Sequence, residues 1–176
     1  PEITCRGTTG KSKNKISKLQ IKGKVSKNEE IISEVVKTIP DYSVFFSPIE
    51  NKCDINISKI KADVSECEAL KNKQELVLMK MNYIPNMDLT EYLDQNKKLF
   101  IPRLFLSFSV LISSIQMLLL KNIIHYDLHL GNILINTNTG LPVIIDFGLS
   151  FLETDIDLKH LSSYFYTFVP NHYVWS

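Results

Sequence analysis

Seventeen consecutive residues without a charge, LFLSFSVLISSIQMLLL (104–120), constrain the fold of this chain more than any other stretch. Arg103 and Lys121 close the run. A membrane-spanning helix needs about 20 predominantly apolar residues. This run is shorter and carries four serines and a glutamine. The reading is a helix from Pro102 to about Lys121, buried at the centre of a globular domain, with no membrane span. A chain of 176 residues can supply such a centre, because at this size roughly 70% of the extended surface is buried on folding. The 44% apolar and 22% charged content is that of an ordinary globular domain and excludes a collagen-like or wholly disordered chain.

Around that helix the pattern is mixed. Residues 15–22, KISKLQIK, partly alternate and read as a strand after the turn-rich GTTGKSKN. NEEIISEVVKTI (28–39) reads as a helix capped by Asn28, apolar along Ile31, Ile32, Val35, Val36 and Ile39, and stopped by Pro40. Residues 41–74 read as loops with one strand around Asp54–Ile60. ELVLMKM (75–81) is a strong strand signal, NYIPNMD (82–88) a turn-rich connector and LTEYLDQNKK (89–98) a short helix. NILIN and LPVIIDF form a hairpin across TNTG, where Gly140 supplies positive φ. Residues 155–167 read as a further helix. Small strands with one helix, then mostly helices around a hairpin, make an α+β chain with two unequal lobes.

Net charge is +1, so no overall field points to nucleic acid, and lysines and aromatics do not interleave as a patch for it. Residues 1–30 are locally basic, with eight Lys or Arg against three Asp or Glu. That surplus suits either a phosphate or a solvated hairpin. Cys5, Cys53 and Cys67 have no metal-like spacing, and an odd count favours a reducing compartment.

Chemistry concentrates in HYDLHLGN (125–132) and IIDFG (144–148). Asp127 and Asn132 lie five apart on a loop, and Asp146 follows a strand able to return beside them. Asp127 can orient a hydroxyl and take its proton. Asn132 and Asp146 offer hard oxygens that suit Mg²⁺. Gly148 lets the backbone turn sharply after the carboxylate. Phosphoryl transfer divides its labour in this way, with metal-holding oxygens for the phosphates and a separate carboxylate for the nucleophile.

These two motifs, in this order and 19 residues apart from Asp127 to Asp146, resemble the protein-kinase-like superfamily. The chain is most similar to the compact serine/threonine kinase-like proteins encoded by large DNA viruses. HYDLHLGN resembles the catalytic loop HRDLKxxN, and IIDFGLS the metal-binding DFG region. The resemblance implies an α+β, two-lobed protein-kinase-like fold, with an incomplete N-terminal glycine loop and a truncated C-terminal lobe. Its parts would be a small lobe over 1–81, a hinge over 82–88 and a partial helical lobe over 89–176. ATP and Mg²⁺ would be the cofactors. Asp127 would be the catalytic base or hydroxyl-orienting residue, Asn132 and Asp146 the metal ligands, and His125 a structural residue beneath the DFG turn.

ISKL (16–19) resembles the VAIK strand, so Lys18 would reach the α- and β-phosphates. Its carboxylate partner would be Glu30, with Glu34 one turn on as the alternative. ELVLMKMNYIPNMDL resembles the fifth strand and hinge. Met81 would line the back of the adenine pocket, Asn82 to Ile84 would offer backbone groups to adenine, and Asp88 would meet ribose or substrate. His129, in the place of a lysine, would contact the γ-phosphate with a charge that depends on pH.

Four departures shape the functional expectation. His129 gives the DLHxGN form, which is similar to small-molecule kinases as well as divergent viral ones. Gly7 and Gly10 are all that resembles GxGxxG, and Cys5 stands where a Walker A loop needs glycine. Only eight residues separate Gly148 from Asp157, too few for a long activation segment. Asp157 would tie a compact anchoring helix to the catalytic loop, and activity would be constitutive or set by a partner. The aromatic run 162–175 would be covered by a partner or a segment outside this chain.

The expected function is an ATP- and Mg²⁺-dependent serine/threonine protein kinase acting on a protein hydroxyl. A kinase for a small-molecule alcohol and a catalytically weak structural relative are the alternatives. The expected location is the host cytoplasm or the virion for a viral protein, and otherwise the cytoplasm.

Overall fold

The computed structural model describes residues 4–7, 15–55, 75–95 and 97–153. Its first sheet is antiparallel. β1 (Thr4–Gly7) pairs with β2 (Lys15–Ile21), β2 with β5 (Leu76–Asn82), and β5 with β4 (Ile49–Ile55), in the order β1-β2-β5-β4. The expected strand around Asp54–Ile60 overlaps β4 at Asp54 and Ile55, and its residues 56–60 lie outside the described residues. Residues 17–20 of β2 are all buried, which is why its alternation looked imperfect. Register sets Lys18 opposite Met79 and Ile16 opposite Met81.

Helix α1 spans Lys24–Val36, so it starts four residues before the expected cap at Asn28. Gly23 holds the N-cap position in extended backbone, and Ser26 Oγ accepts its N–H at 2.8 Å. A serine three residues into the helix thus does the capping that the sequence reading gave to Asn28. Glu29, Ile32, Ser33 and Val36 are buried on one face, at the i, i+3, i+4, i+7 spacing of a helical stripe. Ser33 Oγ accepts the Ile49 N–H at 3.0 Å and pins the helix to β4.

After the single turn α2 (Tyr42–Phe45), the chain enters a second sheet before returning to the first. β3 (Phe46–Ser47) pairs in parallel with β9 (Pro142–Ile145). β9 pairs antiparallel with β8 (Ile133–Asn136), and β8 with β6 (Asn86–Asp88). The expected hairpin is therefore the middle of a four-stranded sheet, and part of the expected connector 82–88 is its edge strand. Gly140 turns the hairpin at φ 68°, with Tyr92 Oη only 3.2 Å from where a Cβ would sit. Short strands β7 (Ile123–Ile124) and β10 (Phe151–Leu152) pair antiparallel and bring the chain after Gly148 beside the start of the 125–132 loop.

Helix α3 spans Leu89–Asp94 and helix α4 spans Phe100–Leu119. Pro102 sits in the first turn of α4, where its missing N–H costs nothing. Ser107, Leu111, Ser114 and Leu118 form the buried stripe, and Ser114 Oγ returns its hydrogen to the Val110 carbonyl at 2.8 Å. The expected burial at the centre of the domain holds for this stripe and not for the opposite face. Ile101, Phe105, Phe108 and Ile112 are exposed, Phe105 by 71%. By length and composition the stretch Lys97–Leu119 could cross a membrane, with 17% of its most apolar window buried. Among the described residues, Leu111 and Leu118 pack in the domain core with Ile115 and Met117 against it, and Phe100, Arg103 and Leu104 meet α3. The expected helix 155–167, Asp157 and the aromatic run 162–175 lie outside the described residues.

One cluster of buried side chains joins both layers: Ile32 and Val36 of α1, Phe46 of β3, Leu111 and Leu118 of α4, and Phe147. Ile32 is 1% exposed, while its neighbour Ile31 is 45% exposed. Ile32→Ala is expected to cost about 2–5 kcal/mol through lost burial and a cavity. Ile31→Ala is expected to change stability by less than about 1 kcal/mol. Urea midpoints of the two variants measure the difference.

Candidate active site

Lys18 is 3% exposed, an uncommon place for a lysine. Its ammonium is held at 2.9 and 3.0 Å by the two oxygens of Glu29 and at 3.0 Å by Asp146 Oδ1. A buried ammonium needs such partners, because desolvation of an unpaired charge costs several kcal/mol. Glu29 is 2% exposed and lies on the same α1 stripe as Ile32 and Val36.

The partner expected for Lys18 was Glu30, with Glu34 second, and both are corrected here. Glu30 turns one step around the helix and pairs with Lys52 of β4 at the surface. Glu34 pairs with Lys37 at 2.6 Å. The phase of the apolar stripe carried the signal: three residues before Ile32 and seven before Val36 is position 29.

Asp146 follows β9 with φ 63°, and its Oδ1 accepts the Gly148 N–H at 3.4 Å. A Cβ on Gly148 would lie 3.3 Å from Asp146 Oδ1 and 3.5 Å from Glu29 Oε2, so α1 and the turn pack closely there. Phe147 is 1% exposed, 5.1 Å from the His125 ring and 6.2 Å from that of Phe46, centroid to centroid.

The loop before β8 presents the second group. Asn132 Nδ2 donates to the Asp127 carbonyl at 2.8 Å and to its Oδ2 at 3.1 Å. With its amide hydrogens turned on Asp127, the carbonyl oxygen of Asn132 is the atom that can serve a cation. His129 Nδ1 accepts the Gly131 N–H at 3.0 Å, and Nε2 lies 3.2 Å from Asn132 Nδ2 and 3.8 Å from Asp127 Oδ2. Tyr126, at φ 64°, bends the backbone between His125 and Asp127. Left-handed conformations at Tyr126 and Asp146 are strained for such side chains and persist where the surroundings enforce them.

His125 connects the two groups. It is buried, and its Nε2–H donates to the Ile145 carbonyl at 3.1 Å, next to Asp146. Its Nδ1 has no hydrogen-bond partner among the described residues. Burial holds its pKa below the ordinary 6.5, outweighing the pull of the Ile145 carbonyl, Asp127 and Asp146. The ring is thus a neutral spacer locked in one tautomer.

These elements border a cleft of about 270 Å³ between the sheets. Ile16, Met81, Ile84 and Leu134 supply apolar walls, with Lys18, Glu29 and Asp146 at one end. Asn82 lines it too, fixed by Lys15 Nζ at 2.6 Å and by donation to Glu50 Oε1 at 2.9 Å. The Asn82 carbonyl accepts a 3.4 Å contact from Ser47 Oγ, a lining residue that the sequence reading missed. Its signal was hidden because β3 reaches the cleft only through pairing with β9.

Asp88 is a second correction. It does not line the cleft; its Oδ1 accepts the Glu91 N–H at 2.7 Å and caps α3, as an acid before a helix commonly does.

The cleft is acidic at its polar end, where Glu29 and Asp146 meet the Lys18 ammonium; of the loop that carries Asp127, His129 and Asn132, Gly131 lines it. Among the described residues no three His, Cys, Asp or Glu converge as a complete metal cage. One carboxylate and one amide oxygen fit Mg²⁺ held jointly with phosphate oxygens, because that ion takes few protein ligands and keeps others from substrate and water.

A cleft between two sheets, a buried lysine–glutamate pair, and an Asp/Asn loop tied through His125 to a carboxylate on a glycine turn define a fold of the kinase type. The protein kinase domain family matches residues 52–168, and the chain belongs to that family. It is 28% identical over 151 residues to the NUAK family SNF1-like kinase 1 of Homo sapiens and to that of Mus musculus. The match covers 86% of this chain and 22% of each relative, so the chain spans about a fifth of their length. The solved structure of the Cydia pomonella granulovirus kinase, PK-1, superposes with a TM-score of 0.55 at 19% identity, over 81% of this chain and 47% of that one. The fold is the two-lobed α+β fold of that superfamily.

Glu29→Ala leaves the Lys18 charge with Asp146 alone, and a loss of about 3 kcal/mol is expected. Glu30→Ala breaks only a surface pair and is expected to cost less than about 1 kcal/mol. Denaturation of the two variants separates them. His125 gives a pH prediction. The unfolded chain takes up a proton near pH 6.5 while the folded ring resists it, so stability is complete above that pH and falls on acidification. His125→Asn is expected to flatten the melting temperature between pH 7 and pH 5.

Proposed function

We propose that this chain carries the catalytic centre of an ATP- and Mg²⁺-dependent protein kinase that phosphorylates serine or threonine hydroxyls. The observation that carries the reading is the buried Lys18, shared by Glu29 and Asp146 at the end of an apolar-walled cleft. A scaffold has no need to bury that charge, whereas a polyphosphate site uses it.

In this proposal the base of ATP lies between Ile16, Met81, Ile84 and Leu134, near the backbone of Asn82 to Ile84. Lys18 points its ammonium at the phosphates, and Glu29 keeps the lysine from swinging away. Asp146 and the Asn132 carbonyl oxygen would hold Mg²⁺, which would supply charge neutralisation to the phosphates. Asp127, oriented by the Asn132 amide, accepts the hydrogen of the acceptor hydroxyl and aims its oxygen at the γ-phosphorus. The acceptor oxygen–phosphorus bond forms, the bond to the β-phosphate oxygen breaks, and the products are a phosphoester and ADP.

His129 supports a second reading, a small-molecule alcohol as acceptor. Its ring stands beside Asp127 and Asn132, where it narrows the approach to Asp127.

Asp127→Asn is expected to lower phosphoryl transfer at least about 100-fold, with nucleotide binding retained. Transfer of γ-³²P to protein and small-alcohol acceptors, assayed side by side on the intact protein, reads both the reaction and the acceptor class. Unchanged turnover in Asp127→Asn would remove that residue from the mechanism. Absence of any Mg²⁺-dependent nucleotide binding would favour a structural role.

A further inference from the structure

We propose that Asn28 is a positioning residue: its side-chain amide grips the main chain of Ser150 and so sets Glu29 on Lys18. Asn28 lies outside the motifs that carry the family resemblance, and Ser150 stands at the end of IIDFGLS with no role assigned to it. Asn28 Nδ2 donates to the Ser150 carbonyl at 2.5 Å. Ser150 is 1% exposed and is a junction. Its Oγ donates to the His125 carbonyl at 3.1 Å, and its N–H to the Phe147 carbonyl at 3.1 Å. The next residues, Phe151 and Leu152, pair with Ile124 and Ile123. One residue therefore joins the loop of Asp127, the turn of Asp146 and, through Asn28, helix α1.

Helix geometry explains why this matters. Asn28 and Glu29 are consecutive, so their side chains leave the helix about 100° apart. Fixing one fixes the rotation that aims the other. The buried apolar stripe of α1 cannot do this alone, since apolar packing is not directional. Hydrogen bonds are directional, and besides the surface pair of Glu30 with Lys52, α1 has one on each side of Glu29: Asn28 to Ser150, and Ser33 from the Ile49 N–H. The first joins α1 to the Asp146 turn and the second joins it to β4. Both use neutral groups or main chain, so the Lys18–Glu29–Asp146 arrangement is set in the resting chain without an added phosphate. The catalytic consequence rests on the proposed function; the geometric clamp does not.

The test reads the clamp without turnover. Nucleotide-free intact protein is acetylated with N-hydroxysuccinimide acetate, and rates at individual lysines are followed by peptide mass spectrometry. Asn28→Asp keeps the shape and loses the donor. Lys18 is expected to react at least fivefold faster in N28D, while Lys52, paired with Glu30 on the same helix, changes less than twofold. Asn28→Gln, which keeps a donor on a longer arm, is expected to fall between.

In transfer assays N28D is expected to lower kcat about tenfold with KM for the acceptor unchanged. A Lys18 rate within twofold of the natural protein overturns the clamp, and so does a parallel rise at Lys18 and Lys52, which marks general loosening. Should N28D not fold, Asn28→Ala is read by the same two outcomes. If Lys18 labelling responds but the natural protein transfers no phosphate, the clamp stands and the phosphotransferase reading falls.

Discussion

A lysine ammonium taken out of water is the constraint around which this molecule is organised. Lys18 sits in a strand whose residues 17–20 are all buried, and burial strips its ammonium of most of its hydration. Two carboxylates from distant parts of the chain must come to it, and they bring their elements with them. Glu29 brings α1 onto the first sheet; Asp146 brings the end of β9 against that sheet from the other layer. The interaction is between charges, but its consequence is architectural: the cleft between the layers acquires a fixed end.

Apolar packing supports the same junction from behind. Phe147 follows Asp146 directly and enters the cluster with Ile32, Val36, Phe46, Leu111 and Leu118. The residue that binds charge and the residue that binds grease are adjacent, so the turn cannot move toward one without straining the other. His125 fills the remaining side as a neutral ring tied to the Ile145 carbonyl. The left-handed backbone at Tyr126 and Asp146 is held in place by this double anchoring.

Much of this was legible in the residues. HYDLHLGN and IIDFG were readable because the chemistry needs particular atoms at fixed spacing, and the hairpin between them because Gly140 and alternating apolar residues mark it. Strands β2 and β5 and the apolar helix α4 were readable from local pattern. The expectation of Glu30 or Glu34 as the Lys18 partner fails because adjacent acids differ only in helical phase, and the helix begins earlier than its composition suggests. Asp88 was assigned to a ligand when its nearer task was to cap α3. The exposed outer face of α4 could not be anticipated, because an uncharged run says how apolar a helix is but not how many neighbours it has.

The sequence by itself determined the chemical inventory: a lysine on a strand, an Asp/Asn loop, a carboxylate on a glycine turn and the order in which they occur. Those are local properties, written in residue type and spacing. Only the tertiary structure decided which carboxylate meets Lys18, that Ser47 and Asn82 share the cleft wall, and that Ser150 joins α1 to both functional loops. Those contacts bridge residues 11 to 128 positions apart. They follow from how rigid elements rotate and stack, which no short window of the chain records.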